Sequence, residues 1–137
     1  MIDVDWLCQA DPAPDDDPYN DRLAFANLEA VWPNYAVRGV DYLVLARVVE
    51  DEAHRDRYRR ALHGAEVRIV RVEASPGTRA DRLVAREPEG PWRDGHLART
   101  DVLAARLAAL GLDDLVVSNE RRSGEVVAAE ILSGLGW

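Results

Sequence analysis

The chain has 137 residues with 47% hydrophobic content, enough to build one ordinary domain around a single core without staples. Its 25 acidic residues outweigh 17 basic ones, and the net charge of −8 repels a phosphate backbone, which argues against nucleic-acid binding. Every basic residue is arginine, so a Schiff-base lysine, a lysine general base and the point-charge lysine of a phosphate loop are all excluded.

Cys8 is the single cysteine, which rules out an intrachain disulfide and a multi-cysteine zinc site. Met1-Ile2-Asp3-Val4-Asp5 lacks the basic and apolar stretches of a secretory signal, and no apolar segment approaches membrane-spanning length. The expectation is a cytoplasmic protein with no membrane contact.

In chain order, a short apolar start at Ile2–Val4 gives way to Asp11-Pro12-Ala13-Pro14-Asp15-Asp16-Asp17-Pro18, a loop whose prolines and like charges forbid regular structure. Asp15–Asp17 lack the alternating ligands of a calcium loop and read as solvated. Asp21 is placed to cap a helix carrying Leu23, Phe25, Leu28, Val31 and Trp32, kinked or broken at Pro33 and stopped by Gly39. Tyr42–Val49 is a nearly unbroken apolar run, the pattern of a parallel strand covered on both faces. Asp51–His63 has helical rhythm with Tyr58 and Leu62 as its apolar stripe and Gly64 as its end. A strand follows at Val67–Val72.

Ser75-Pro76 opens a helix that Glu87-Pro88 stops, Glu89–Gly95 is a polar loop, and Leu97–Leu110 is an amphipathic helix ending at Gly111. A strand at Leu115–Ser118 and a helix from Ser123 to Leu132 complete the chain, with Ser133-Gly134 beyond it. Strands and helices alternate without an internal repeat, which predicts one α/β domain over residues 1–137, a three-layer sandwich with a mainly parallel sheet. His54, His63 and His96 have no paired metal spacing. Asp51, His54 and Ser75 are the residue types of a hydrolytic triad, with no strained strand-to-helix elbow to present the serine.

Three stretches carry a family resemblance: Ile2-Asp3-Val4-Asp5-Trp6-Leu7; Arg79-Ala80-Asp81-Arg82-Leu83-Val84-Ala85-Arg86 with Arg93; and Val116-Val117-Ser118-Asn119-Glu120 with the residues up to Val127. In this order they resemble the aspartate-x-aspartate strand end, the arginine-bearing helix and lid, and the last strand with its adenine-backing loop of P-loop small-molecule kinases such as adenylylsulfate, gluconate and shikimate kinases. The resemblance implies magnesium and ATP as cofactors and a small hydroxylated molecule as acceptor. Asp3 and Asp5 would be the catalytic pair, holding magnesium through water, and Arg79, Arg82, Arg86, Arg93 and Asn119 would bind nucleotide and phosphate.

Residue chemistry supplies reasons for those roles. Two aspartates two apart on a strand share a face, and arginines spaced by three and four share a helix face whose guanidinium forks suit phosphate oxygens. Pairing with Asp81, Glu87 or Glu89 on a solvated surface is the alternative for the arginines. The family, however, begins with a strand, a Gly-x-x-x-x-Gly-Lys-Ser/Thr loop and a helix, all of which would lie before Ile2. This chain alone is therefore expected not to be a working kinase. The resemblance places the absent strand between residues 42–49 and 67–72. Three outcomes follow: a truncated reading frame, strands exchanged in a homodimer, or a sheet re-closed around the gap. The alternative function is a degenerate, non-catalytic binding or structural protein acting as a homodimer.

Overall fold

The computed structural model describes residues 1–137. The elements run β1 (Ile2–Asp3), a 3₁₀ turn (Val4–Leu7), α1 (Asp21–Ala36), β2 (Leu45–Ala46), α2 (Glu52–Ala61), β3 (Val70–Glu73), α3 (Pro76–Arg86), α4 (Pro91–Leu110), β4 (Leu115–Ser118) and α5 (Gly124–Leu135). The chain forms two compact units, Met1–Val67 and Arg68–Trp137. No helix is long and apolar enough to cross a membrane.

The α/β class holds, in a simpler form than one continuous sheet. Each unit has a single parallel strand pair: β1 with β2, in the register Ile2↔Leu45 and Asp3↔Ala46, and β3 with β4, from Val70↔Leu115 to Glu73↔Ser118. Parallel neighbours need a crossover. In the first unit α1 lies within that crossover, and in the second α3 and α4 do. Of the strands flanking the expected gap, β2 is hydrogen-bonded to β1 and β3 to β4.

Several local readings change. The apolar run 42–49 yields only two strand residues. Leu43, Leu45 and Val49 pack on the core of the first unit, while Tyr42, Val44 and Val48 are exposed. Successive strand side chains point to opposite faces, so the run is covered on one face only. Pro33 lies inside α1 without breaking it. Residues 91–95, expected as loop, are the first turn of α4, where Gly90 caps the helix and Pro91 takes the first position, a place in which its missing N–H costs nothing.

Gly134 is no helix stop. It lies inside α5, where a Cβ would come within 2.9 Å of Leu115 Cδ2, so glycine is needed for close approach of helix to strand. Gly136, with φ +74°, takes the left-handed capping position instead.

The core of the first unit is Val4, Ala24, Leu28, Tyr58, Ala61 and Leu62. Leu28 and Val4 are fully buried, and Trp32 Nε1 donates to His63 O at 3.0 Å, tying α1 to the end of α2. The second unit has a slimmer interior around Val117 and Val127, and neither α3 nor α4 contributes a fully buried side chain.

Candidate functional site

In the first unit, β1 and β2 run in the same direction, and the residues just past their carboxyl ends form a polar cluster. This is the end at which open parallel sheets place their ligand sites. Past β1 come Asp5, in the 3₁₀ turn, and Cys8; past β2 comes Arg47. Helix α1 adds Asp21 at its first residue, and α2 adds its cap Asp51, whose carboxylate accepts from His54 N at 2.7 Å.

Arg47 is the hub. Its guanidinium pairs with Asp21, lies 3.3 Å from Asp5 Oδ1, and donates to Cys8 Sγ at 3.6 Å. Burial works against the charge on Arg47, but the Cys8 sulfur, Asp21 and Asp5 outweigh it and hold its pKa above the ordinary value. The other Asp21 oxygen meets His54 Nε2 at 3.1 Å, and His54 Nδ1 lies 3.6 Å from Asp51 Oδ1. Phe25 stacks on His54 and meets Tyr58 edge-on at 4.9 Å, with Arg57 over its ring.

Tyr58 is the anomaly. It is only 5% exposed, and its hydroxyl has no hydrogen-bond partner. Burial pushes its pKa up to about 12, with Arg47 pulling down and Asp21 and Asp5 pushing up, so the hydroxyl lies within electrostatic reach of the cluster.

Asp21 is free for this role because it does not cap its helix. The buried Asp17 does that, accepting from Asp21 N at 2.8 Å and Arg22 N at 3.0 Å. One member of the acidic run is thus a structural cap, where solvated residues were expected. Asn20 Nδ2 donates to Cys8 O and Ala10 O, closing the loop beneath it.

Asp3 and Asp5 do not share a strand face. The strand ends at Asp3, whose Oδ1 accepts from Asp5 N at 3.1 Å to cap the 3₁₀ turn, and Asp5 turns to Arg47. For magnesium this is a poor donor set. Each aspartate already has an oxygen engaged, and no group of three or more His, Cys, Asp or Glu side chains converges to hold an ion. ATP fits no better, since the chain has neither a lysine nor a glycine-rich turn between a strand and a helix.

In the second unit, three of the expected phosphate residues meet at the carboxyl ends of β3 and β4. Arg82 Nη2 donates to Asn119 O at 2.8 Å, and with the Asn119 amide turned to satisfy both its ends, its oxygen accepts from Arg82 Nη1 at 3.3 Å. Arg79 donates to Ala74 O and pairs with Asp101 at 2.6 Å. Between them the Glu120 carboxylate sits at the start of α3, accepting from Ser75 N at 2.9 Å and Thr78 Oγ1 at 2.6 Å. The Thr78 hydrogen bond, followed by the Ser75 amide, holds the Glu120 carboxyl below its usual range.

Arg86 and Arg93 lie apart from that cluster. Seven residues of helix, about 10 Å of axial rise, separate Arg86 from Arg79. Arg86 pairs with Glu87 at 2.6 Å, which also meets His96 Nδ1 at 2.7 Å, and Arg93 lies 3.5 Å from Glu89.

Comparison of the chain with protein-family models, curated proteins and solved structures finds no match. Sequence reasoning missed Asp21, Arg47, His54 and Tyr58 as a group. One signal was available: Arg47 is the only charged residue in the run 42–49, and a lone charge in an apolar strand needs a partner.

Proposed function

We propose that this chain is a kinase-like α/β module resembling P-loop small-molecule kinases, whose first unit receives a small hydroxylated acceptor and which does not transfer phosphate by itself. The observation that carries the reading is the placement of polar residues in both units at the carboxyl ends of a parallel strand pair, beside helix starts. In the first unit Asp5 and Asp21 offer carboxylate oxygens to a substrate hydroxyl, and Arg47 fixes both carboxylates. In the second, Arg79, Arg82 and Asn119 are the phosphate-facing set that the resemblance implies. The finer fold belongs to the same proposal: a three-layer sandwich with a mainly parallel sheet, like that of P-loop kinases but without their first strand and phosphate loop.

Two measurements test it. Titration with magnesium-ATP is expected to show no binding tighter than about 100 μM, which corresponds to about 5.5 kcal/mol. Tighter binding refutes the account of the missing phosphate cradle. The coding sequence upstream separates the readings: a stop codon removes the phosphotransferase, whereas an in-frame strand, glycine-rich loop with lysine, and helix supports it, and the longer product is then expected to move labelled phosphate from ATP to a hydroxyl. A longer product that carries the loop and transfers nothing removes the phosphotransferase part.

A second reading, a non-catalytic partner protein acting as a homodimer, is favoured by the pairing of Arg79, Arg86 and Arg93 with the chain's own carboxylates. Sedimentation velocity showing a dimer at micromolar concentration, together with an upstream stop codon, selects it.

A further inference from the structure

His96 belongs to neither polar cluster. It lies in the early part of α4, and its Nδ1 meets Oε2 of Glu87, the residue that ends α3, at 2.7 Å. The other Glu87 oxygen accepts from Arg86 Nη2 at 2.6 Å. The Arg86 guanidinium first, and the His96 ring after it, hold the Glu87 carboxyl below its usual range. An ionised carboxylate can only accept, so Nδ1 is the ring nitrogen that carries the proton, and Nε2 of the neutral ring is left with a bare lone pair.

That lone pair is available. Nε2 makes no hydrogen bond within the protein and is not sealed from solvent, the His96 side chain being 36% exposed. Trp92 fixes the ring from a second direction, edge-on with centroids 4.7 Å apart. An imidazole whose tautomer and orientation are set by a carboxylate is the more basic and nucleophilic at its opposite nitrogen. Arg93 stands three residues before His96, on the same side of α4. Its Nε–H is buried without a partner, and its Nη2 lies 3.5 Å from Glu89. A guanidinium donor in that condition suits an anionic oxygen. The second unit also opposes an anion far less than the first: residues 68–137 contain 11 acidic and 10 arginine side chains, against 14 and 7 in residues 1–67. Neither other histidine has this combination, since Asp21 engages His54 Nε2 at 3.1 Å and His63 is exposed with no carboxylate to orient it.

We infer that His96 accepts a phosphoryl group at Nε2 from a small phosphoramidate, with Glu87 positioning the ring and Arg93 donating to a phosphoryl oxygen. The Nε2 lone pair forms the new N–P bond as the P–N bond of the donor breaks. The electron pair of that bond leaves with the donor's protonated nitrogen, which departs as a neutral amine or ammonia. The positive charge passes to the imidazole, whose Nδ1 proton stays against Glu87, so the carboxylate faces an imidazolium where it had faced a neutral ring. One N–P bond replaces another, and no further reactant is consumed. Neither a nucleotide nor a glycine-rich loop takes part, so this site stands or falls apart from the kinase reading.

The full chain treated with potassium phosphoramidate at neutral pH provides the test, with intact mass for the number of phosphoryl groups, tandem mass spectrometry for their position and ³¹P NMR for the ring nitrogen that bears them. His96 is expected to be modified first, at Nε2, and at least about tenfold faster than His63, which serves as the unoriented control in the same molecule. His96→Gln should lose the fast phase and keep the slow one. Glu87→Ala should slow His96 by about tenfold or more, leave His63 unchanged and let the Nδ1 isomer appear, with circular dichroism confirming the fold. Glu87→Gln, which keeps an acceptor but not the charge, should fall between. Arg93→Met is expected to slow His96 by about threefold, the scale of one partly exposed charge. Equal rates at His96 and His63, modification of His96 chiefly at Nδ1, no modification at all, or a ratio untouched by both Glu87 variants would each overturn the inference.

Discussion

Replacing Tyr58 by phenylalanine removes one oxygen and almost no volume, so it isolates the energetic consequence of a hydroxyl buried without a partner. An unsatisfied buried polar group costs about 1–3 kcal/mol, and the variant is therefore expected to be more stable than the parent by about 1 kcal/mol at pH 7. A second consequence appears in alkali. Burial raises the folded-state pKa from 10 to about 12, so the native state holds the phenolic proton more tightly than the unfolded chain does. The corresponding stability, about 2–3 kcal/mol, is fully present below pH 10, about half lost by pH 11 and gone above about 12. The phenylalanine variant has no such proton, and its stability should fall less over the same range. Urea unfolding at pH 7 and pH 11 measures both effects. Absorbance at 295 nm should show the tyrosine ionisation near pH 12 missing in the variant. A variant destabilised by more than about 1 kcal/mol at pH 7, or an unchanged spectrophotometric titration, would refute the claim that the hydroxyl lacks a partner.

Leu28→Ala empties a fully buried position in the core of the first unit and should cost about 3 kcal/mol by urea unfolding. Gly111→Ala forces an alanine into the left-handed conformation at φ +59°, at a cost of about 1 kcal/mol, with no steric clash to add to it because nothing lies within 4 Å of the new Cβ. Glu120 has a folded pKa below its ordinary value, so its contribution is present above the usual carboxylate range and is lost as pH falls through the folded value. Glu120→Gln should lower stability at pH 7 and flatten that acid limb, which a pH series of thermal melts checks. Arg47→Met leaves Asp21 and Asp5 without their cation and should destabilise by about 2 kcal/mol, more than Arg86→Met on the exposed end of α3, which should change stability by less than about 0.5 kcal/mol.

Local signals in the sequence determined most of the helices. Ser75 and Ser123 cap α3 and α5 through their hydroxyls, Asp51 caps α2, and Gly39, Gly64 and Gly111 stand in left-handed conformations where helices end, each a matter of a few neighbouring residues. Tertiary structure decided what depends on residues far apart in the chain. Asp21 was legible as a helix start, but the cap is Asp17, and only that substitution frees the Asp21 carboxylate for Arg47, 26 residues away, and His54, 33 away. The apolar run 42–49 was legible as a strand, but whether one face or two would be covered depends on what packs there, and no periodicity encodes it. Arg79, Arg82 and Arg86 share a helical spacing, yet reach different partners because the ends of β3 and β4 lie beside only the first turns of α3. A spacing rule fixes which side chains share a face, whereas the site is fixed by which faces the parallel crossovers bring together.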